Sequence, residues 1–407
     1  MICHRSAGPT HMIKLMAYMS TPGGLTGAPR RLLTLARVLK AEGVQVCVAT
    51  QSGSALIQAA EAEGFATVSS DSAGVLALRH GSLFGGGVFF RLRVLGALLV
   101  QNWRFRSLVR RERGDVIWIR GSKGIAFAGL GALISRRPLV WDVGYELPSR
   151  GLVRWLHRFG LWAADAVVFQ YRAAADGIFG SRLASRYRAK FHAIIPGIDL
   201  ASLAACSRSR ATRAVGKEAP FRILQVGTIC ERKNQRLLIE ALQCLSRDGG
   251  CQSVEVRLVG GVFEKAYAED SRRRLADSGL GSVVQFLGWR DDVHALMAEA
   301  DLLVMPSKYE GVPNTVQEAM AIGLPVMVSN AGGMPEVVAH GKTGWVLPAD
   351  DPEAWAKQID ACRLDRELCR EVGEAAAAYA AEHFGTESWG RQYAGVIKRL
   401  VPNGRRR

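Results

Sequence analysis

The 407-residue sequence is short of the features that would place a chain across a bilayer, hold a metal or staple it with disulfides. No uninterrupted apolar run reaches about 18 residues, which excludes a bilayer-spanning helix. The opening stretch MICHRSAGPTHM has no apolar signal-peptide core and reads as an extension ahead of a first strand near Met12. The eight cysteines form no C-x-x-C pair and no ligand-like cluster, so they read as reduced, packed thiols of a cytosolic protein. No D-x-D pair offers itself to a divalent cation, and the absence of G-x-G-x-x-G excludes a dinucleotide fingerprint. Acidic residues are scarce in one half only. Residues 1–207 hold 26 Lys/Arg against 11 Asp/Glu, and residues 208–407 hold 27 against 26. Nearly all of the +16 formal charge therefore lies in the first half, which suits an anionic partner: a membrane face, a phosphorylated lipid, an acidic glycan or a nucleic acid. Hydrophobic residues make up 48%, which excludes disorder, and the length is sufficient for two α/β domains.

Short apolar runs alternate with helix-like stretches. IKLMAYM (Ile13–Met19) ends in STPGGLTGAPRRL, where Gly23, Gly24 and Gly27 let backbone approach a ligand before a helix over Pro29–Lys40. VQVCVAT, VIWIR, PLVWDV, ADAVVF and FHAIIPGID supply further strands, with Glu146 just beyond PLVWDV. Two segments stand apart. Residues 79–113 carry eight arginines and one acid among aromatic and aliphatic residues. Arg150–Trp162 sets Arg150, Arg154 and Arg158 beside Trp155 and Trp162. Both fit amphipathic helices on anionic lipid headgroups, or helices packed on the sheet with a solvated basic face. Residues 208–220 read as a polar linker. Beyond it FRILQVG, VEVRLVG, VVQFLG, DLLVM and LPVMVS build a second parallel sheet.

The stretch PSKYEGVPNTVQE (Pro306–Glu318) follows DLLVM and leads into a helix. Its turn faces the carboxyl edge of the sheet, where α/β proteins bind ligands and helix amides favour phosphate. Glu310 and Glu318 add two carboxylates for hydroxyl groups, a layout suited to a nucleotide sugar. Arg232 and Lys233 stand at the FRILQVG strand-to-helix junction, where a cation would neutralise a pyrophosphate leaving group. The loop after VVQFLG, with Trp289 and Arg290, is placed to line a base pocket, and Asp291–Asp292 reads as a helix cap.

VGTICERKNQRLLIEAL, the run FLGWRDDVHALMAEADLLVMPSKYEGVPNTVQEAMAIGLPVMVSNAGGMPE and the closing FGTESWGRQYAGVIKRL resemble the retaining, GT-B-type glycosyltransferases of the glycosyltransferase-four family. The resemblance implies an α/β chain of two Rossmann-like domains facing a cleft. Residues 1–207 would bind acceptor, residues 208–385 would bind the nucleotide sugar, and a helix in residues 386–407 would return to the first domain. It implies that Glu310 contacts the donor sugar and Glu318 the ribose. Lys233 and the amides of Gly311, Val312, Pro313, Asn314 and Thr315 would hold sugar and diphosphate, and Gly24 would approach the diphosphate. No divalent metal and no cofactor are implied. Front-face displacement assisted by the leaving phosphate is the implied route to retention. The chain departs from the family at Thr228, where arginine is frequent; Arg232, adjacent to Lys233, either substitutes for it or points to solvent. It departs again at Gly144, where histidine is frequent and Glu146 is the nearby polar group.

The expected function is sugar transfer from a nucleotide sugar to a glycan or lipid-linked acceptor in bacterial-type polysaccharide, lipopolysaccharide or glycolipid synthesis. The expected setting is cytoplasmic, peripheral on an anionic membrane surface. A nucleotide-sugar epimerase on the same fold is the alternative enzyme. A nucleic-acid-binding protein is the non-enzyme alternative, disfavoured because no binding motif accompanies the charge.

Overall fold

Parallel strands covered by helices on both faces are buried on both sides and read as continuous apolar runs rather than alternating ones. The computed structural model shows this pattern, and it describes residues 12–20, 27–70, 87–144, 151–213, 219–247 and 249–401. In chain order the strands are β1 (Ile13–Tyr18), β2 (Val44–Thr50), β3 (Ala66–Ser69), β4 (Val116–Arg120), β5 (Leu139–Gly144), β6 (Ala166–Phe169) and β7 (Phe191–Ala193). They continue as β8 (Phe221–Val226), β9 (Val254–Val259), β10 (Val284–Gly288), β11 (Leu302–Met305), β12 (Val326–Ser329) and β13 (Trp345–Leu347). Two separate sheets result, ordered β3-β2-β1-β4-β5-β6-β7 and β10-β9-β8-β11-β12-β13. Every strand pairing among the described residues is parallel. Counted within its own sheet, each begins 3-2-1-4-5-6, the doubly wound order in which connections reverse direction between the first and fourth strands.

The sheets belong to two units. One comprises Met1–Phe169, Ala174–Ile194 and Glu387–Arg407, the other Gln170–Ala173 and Ile195–Thr386. The second unit therefore starts before residue 208. The expected linker opens as helix: Arg208 and Arg210 lie in the helix Leu200–Ala211. Arg210 donates from Nε to Gly323 O at 2.9 Å, and Arg213 pairs with Asp301 at 2.9 Å. These arginines tie the end of that helix and the residues just past it to loops of the second unit.

In the first unit, strand residues Leu15, Val46, Trp118 and Val140 share a core with Trp389, Tyr393, Val396 and Ile397 of the helix Thr386–Leu400. Gly390 makes that seat possible, because a Cβ there would lie 2.8 Å from Val38 Cβ. A polar latch accompanies it. Arg120 and Asp142 face each other in the β4–β5 register and pair at 2.9 Å, while Tyr393 Oη donates to the other Asp142 oxygen at 2.6 Å. Burial and the Asp142 carboxylate hold the Tyr393 phenol protonated, well above its ordinary pKa. In the second unit Phe221, Leu238, Val256, Leu302 and Trp355 belong to the core on one side of the sheet. The described cysteines are free thiols, and Cys47, Cys230, Cys251, Cys362 and Cys369 are buried.

His157 is buried in the first unit, 2.6 Å from Ser122 Oγ and in ring contact with Trp141 and Phe179. Burial lowers its pKa to about 4. Between that value and the ordinary 6.5 the unfolded chain binds the extra proton, so stability falls as pH drops from 6.5 towards 4, by at most about 1.4 kcal/mol per pH unit. We expect urea titrations to show this slope and His157→Gln to flatten it. An unchanged slope would assign the acid sensitivity to other groups.

Candidate active site

The second sheet reverses direction between β8 and β11, so residues just past the carboxyl ends of these strands border the crevice that such sheets use for ligands. Thr228 to Asn234 follow β8, and Pro306 to Pro313 follow β11. The two loops are joined by backbone, since Lys308 N donates to Arg232 O at 2.9 Å. Asn234 reinforces the junction. It adopts a left-handed conformation (φ 55°), and its side-chain amide donates to Pro306 O at 3.1 Å and Ala349 O at 3.0 Å.

This scaffold brings together three of the residues singled out from the sequence. Lys233 Nζ lies 2.7 Å and Arg232 Nη1 2.5 Å from the same oxygen, Glu310 Oε1. The Lys233 and Glu310 side chains are each about 10% exposed, and Arg232 is 38% exposed. Arg232 thus turns onto the carboxylate rather than into solvent. The cluster carries one net positive charge, and among the described residues Glu310 Oε2 has no protein partner. Its geometry needs two glycines. A Cβ on Gly227 would lie 2.9 Å from Lys233 Cε, and one on Gly332 (φ +60°) would fall 1.7 Å from Glu310 O. The AGG turn therefore buttresses the glutamate loop, and Gly333 N donates to Gly311 O at 3.1 Å.

The proposed amide cradle over Gly311–Thr315 is narrower than expected. Pro313 has no N–H, and Val312 N donates to Gln170 Oε1 at 3.1 Å. Among the described residues no side chain at the N-cap position, Pro313, caps the helix Asn314–Ile322 that follows. Glu318, in this helix, pairs with His294 Nε2 at 3.4 Å rather than with the cation cluster. Thr228 Oγ1 faces Cys230 Sγ at 3.6 Å. Trp289 is 75% exposed and donates to Asp291 Oδ1 at 3.3 Å. Asp292 occupies the N-cap position of Val293–Glu299 but caps nothing; its carboxylate pairs with Arg290 at 2.5 Å, a stronger partner than a helix amide. Gly24 and Glu146 lie outside the described residues.

Sequence reading missed Gln170, Glu336 and His294. Glu336 accepts from the amides of Arg172 and Ala173 at 2.8 and 3.0 Å, so the 170–173 turn is held at one end by the loop after β11 and at the other by the helix Met334–Val337. Only spatial proximity reveals these partners, because 142 residues separate Gln170 from Val312.

The family described as Glycosyl transferases group 1 matches residues 220–365, and the Glycosyl transferase 4-like domain matches residues 26–191. The amylovoran biosynthesis glycosyltransferase AmsK of Erwinia amylovora is 31% identical over 190 residues, 45% of this chain and 46% of its own. The putative colanic acid biosynthesis glycosyltransferase WcaL of Salmonella typhimurium is 28% identical over 201 residues, 47% of this chain and 48% of its own. The chain thus spans about half the length of these curated relatives. The fold is that of Anabaena Alr3699/HepE, solved in complex with UDP: TM-score 0.76, 21% identity, covering 95% of this chain and 100% of that one. The same Anabaena protein is solved with UDP-glucose, at TM-score 0.72, 21% identity and the same coverage.

Two outcomes test this geometry. The Glu318 carboxylate raises the His294 pKa above 6.5, so their attraction is full below 6.5 and lost as pH rises through the folded value. NMR titration should place His294 above 6.5 in the parent and return it towards 6.5 in Glu318→Gln; identical titrations would sever the pair. Gln170→Leu leaves the Val312 N–H without its acceptor and should cost about 1–3 kcal/mol in urea unfolding, with no loss expected only if water replaces the amide.

Proposed function

As a member of the group 1 glycosyltransferases of GT-B fold, this chain, we propose, moves a sugar from a nucleotide sugar to a glycan or lipid-linked acceptor in the synthesis of a cell-surface polysaccharide or glycolipid. The observation that carries the reading is the Lys233–Glu310–Arg232 cluster at the reversal point of the second sheet. A net positive charge at the site is the main electrostatic requirement for a departing nucleoside diphosphate. UDP is the first candidate for the nucleotide, from the UDP and UDP-glucose complexes of the Anabaena relative in fold.

In this proposal Lys233 and Arg232 meet the diphosphate, and Glu310 Oε2 accepts hydrogen bonds from donor-sugar hydroxyls. Glu318 accepts from the ribose, which requires exchange of its His294 partner. Trp289 offers an exposed indole face to the base, with Arg290 beside it, and Thr228 offers a hydroxyl at the β8 exit. Glu146 is assigned to the acceptor side. The reaction breaks the bond from sugar C1 to the phosphate oxygen, and that electron pair leaves with the diphosphate. The acceptor oxygen bonds C1 on the same face, its proton passes to the leaving phosphate oxygen, and the anomeric configuration is retained. The two protein cations take the charge-neutralising role that a divalent ion would otherwise have.

Thermal shift against UDP-, GDP- and ADP-sugars, with chelator present, should give one donor that raises the melting temperature by mass action. With that donor, Lys233→Ala should lower kcat by about 10²–10³-fold, and Glu318→Ala should act mainly through KM. Anomeric NMR signals of the product report retention. No shift with any donor, or parental turnover in Lys233→Ala, would sink the assignment.

A further inference from the structure

The helix Val88–Arg111 is packed on one side and bare on the other. Val94, Phe105, Leu108 and Val109 are buried, as are Gln101 and Asn102. Asn102 Nδ2 donates to Ala126 O at 2.9 Å and its Oδ1 accepts from Gly131 N at 3.0 Å, both in the helix Gly121–Ile134. Contact there is close enough that a Cβ on Gly131 would lie 2.2 Å from Asn102 O. Gly129 of the same helix meets the Phe159 ring of the helix Gly151–Ala163. The three helices form one layer in the first unit.

The outer helices of this layer expose what a solvated helix would hide. Phe89, Leu92, Leu95, Leu99, Val100 and Trp103 are each at least half exposed, Phe89 at 90%. On Gly151–Ala163 the exposed large residues are Val153, Trp155 and Trp162. Neither helix contains Asp or Glu; the first has six arginines and the second two. Two guanidinium groups lie over exposed indoles, Arg106 at 4.7 Å from the Trp103 ring and Arg158 at 5.5 Å from the Trp155 ring. Cations are thus held at the rim of apolar surface. Among the described residues no helix is long and apolar enough to cross a membrane.

We propose that this layer docks on the headgroup region of an anionic phospholipid bilayer, its apolar side chains entering the interface and its arginines meeting lipid phosphate. Interfacial helices combine these features: a lipid-facing stripe of Phe, Leu and Trp, basic flanks and no acid. Leucine and valine at the centre of the stripe give a nucleic acid nothing to pair or stack with, whereas acyl chains accept them. A second copy would bring an equally cationic face against this one. The proposal rests on the lipid-linked acceptor reading for its use, but not for the binding itself.

The full chain would be sedimented with vesicles of phosphatidylcholine alone and with added phosphatidylglycerol. We expect retention on the anionic vesicles, release by high salt, and little retention on phosphatidylcholine. Reversing Arg91, Arg93, Arg104 and Arg158 to Glu should weaken retention about a hundredfold. Leu92→Ser, Leu99→Ser and Trp103→Ser combined should weaken it similarly while salt sensitivity remains. Both variants should keep the parental melting temperature and its donor-induced shift, so a failed donor reading and a failed docking surface would be told apart. No retention on anionic vesicles, equal retention on both vesicle types, tighter binding to duplex nucleic acid than to vesicles, or a dimer dissolved by Trp103→Ser would each overturn the proposal.

Discussion

A carboxylate gripped by two cations in a largely dry site is the constraint on which the second unit is arranged. Removing such charges from water is costly, and the cost is offset only if partners stand within hydrogen-bond reach and their supports do not yield. The neighbourhood of Glu310 meets both conditions. Lys233 is fixed through Gly227 and through its own carbonyl, which accepts from Gln225 Nε2 at 2.9 Å. Gly332 admits the glutamate backbone, and Asn234 locks the cation-bearing turn to the β11 exit. The same order of strands that places β8 beside β11 therefore determines where this charge cluster can form.

The two sheets share a winding but differ in chemistry. The first unit spends its buried polar groups on fastening, with Arg120, Asp142 and Tyr393 closing on one another. The second directs charge to the edge where its strands reverse. The basic excess of the first half is concentrated on helices rather than at that unit's sheet edge, with eight arginines on two helices of one layer. A solvated basic face and an apolar one coexist there, so the two readings of these segments from sequence are not exclusive.

Much of the fold was legible because buried parallel strands are unbroken apolar runs: VQVCVAT and VIWIR coincide with β2 and β4 to the residue. The three-residue strand WVL was not legible, since so short a run lacks any period. The Glu310–Lys233 pairing could be anticipated because both residues follow strands that end at one edge. The partners that adjust the site could not. His294 and Gln170 act through one contact each and Glu336 through two, all between positions apart in sequence, and nothing local in the chain marks a glutamine that accepts one distant amide. Local reading also erred where a stronger partner competed. Asp292 had the position of a cap but took Arg290, and the arginines of the supposed linker found carbonyls and Asp301.

The first unit is completed by the helix Thr386–Leu400, whose Trp389, Tyr393 and Ile397 fill its core. Translation must therefore reach this helix before that core can close, whereas the segment Ile195–Thr386 of the second unit has been synthesised by then. On a ribosome the order of birth and the order of maturation are reversed. The unit whose strands appear first stays open longer, with strand edges and apolar faces in need of shielding, and a stop codon near residue 385 would injure the first unit more than the second.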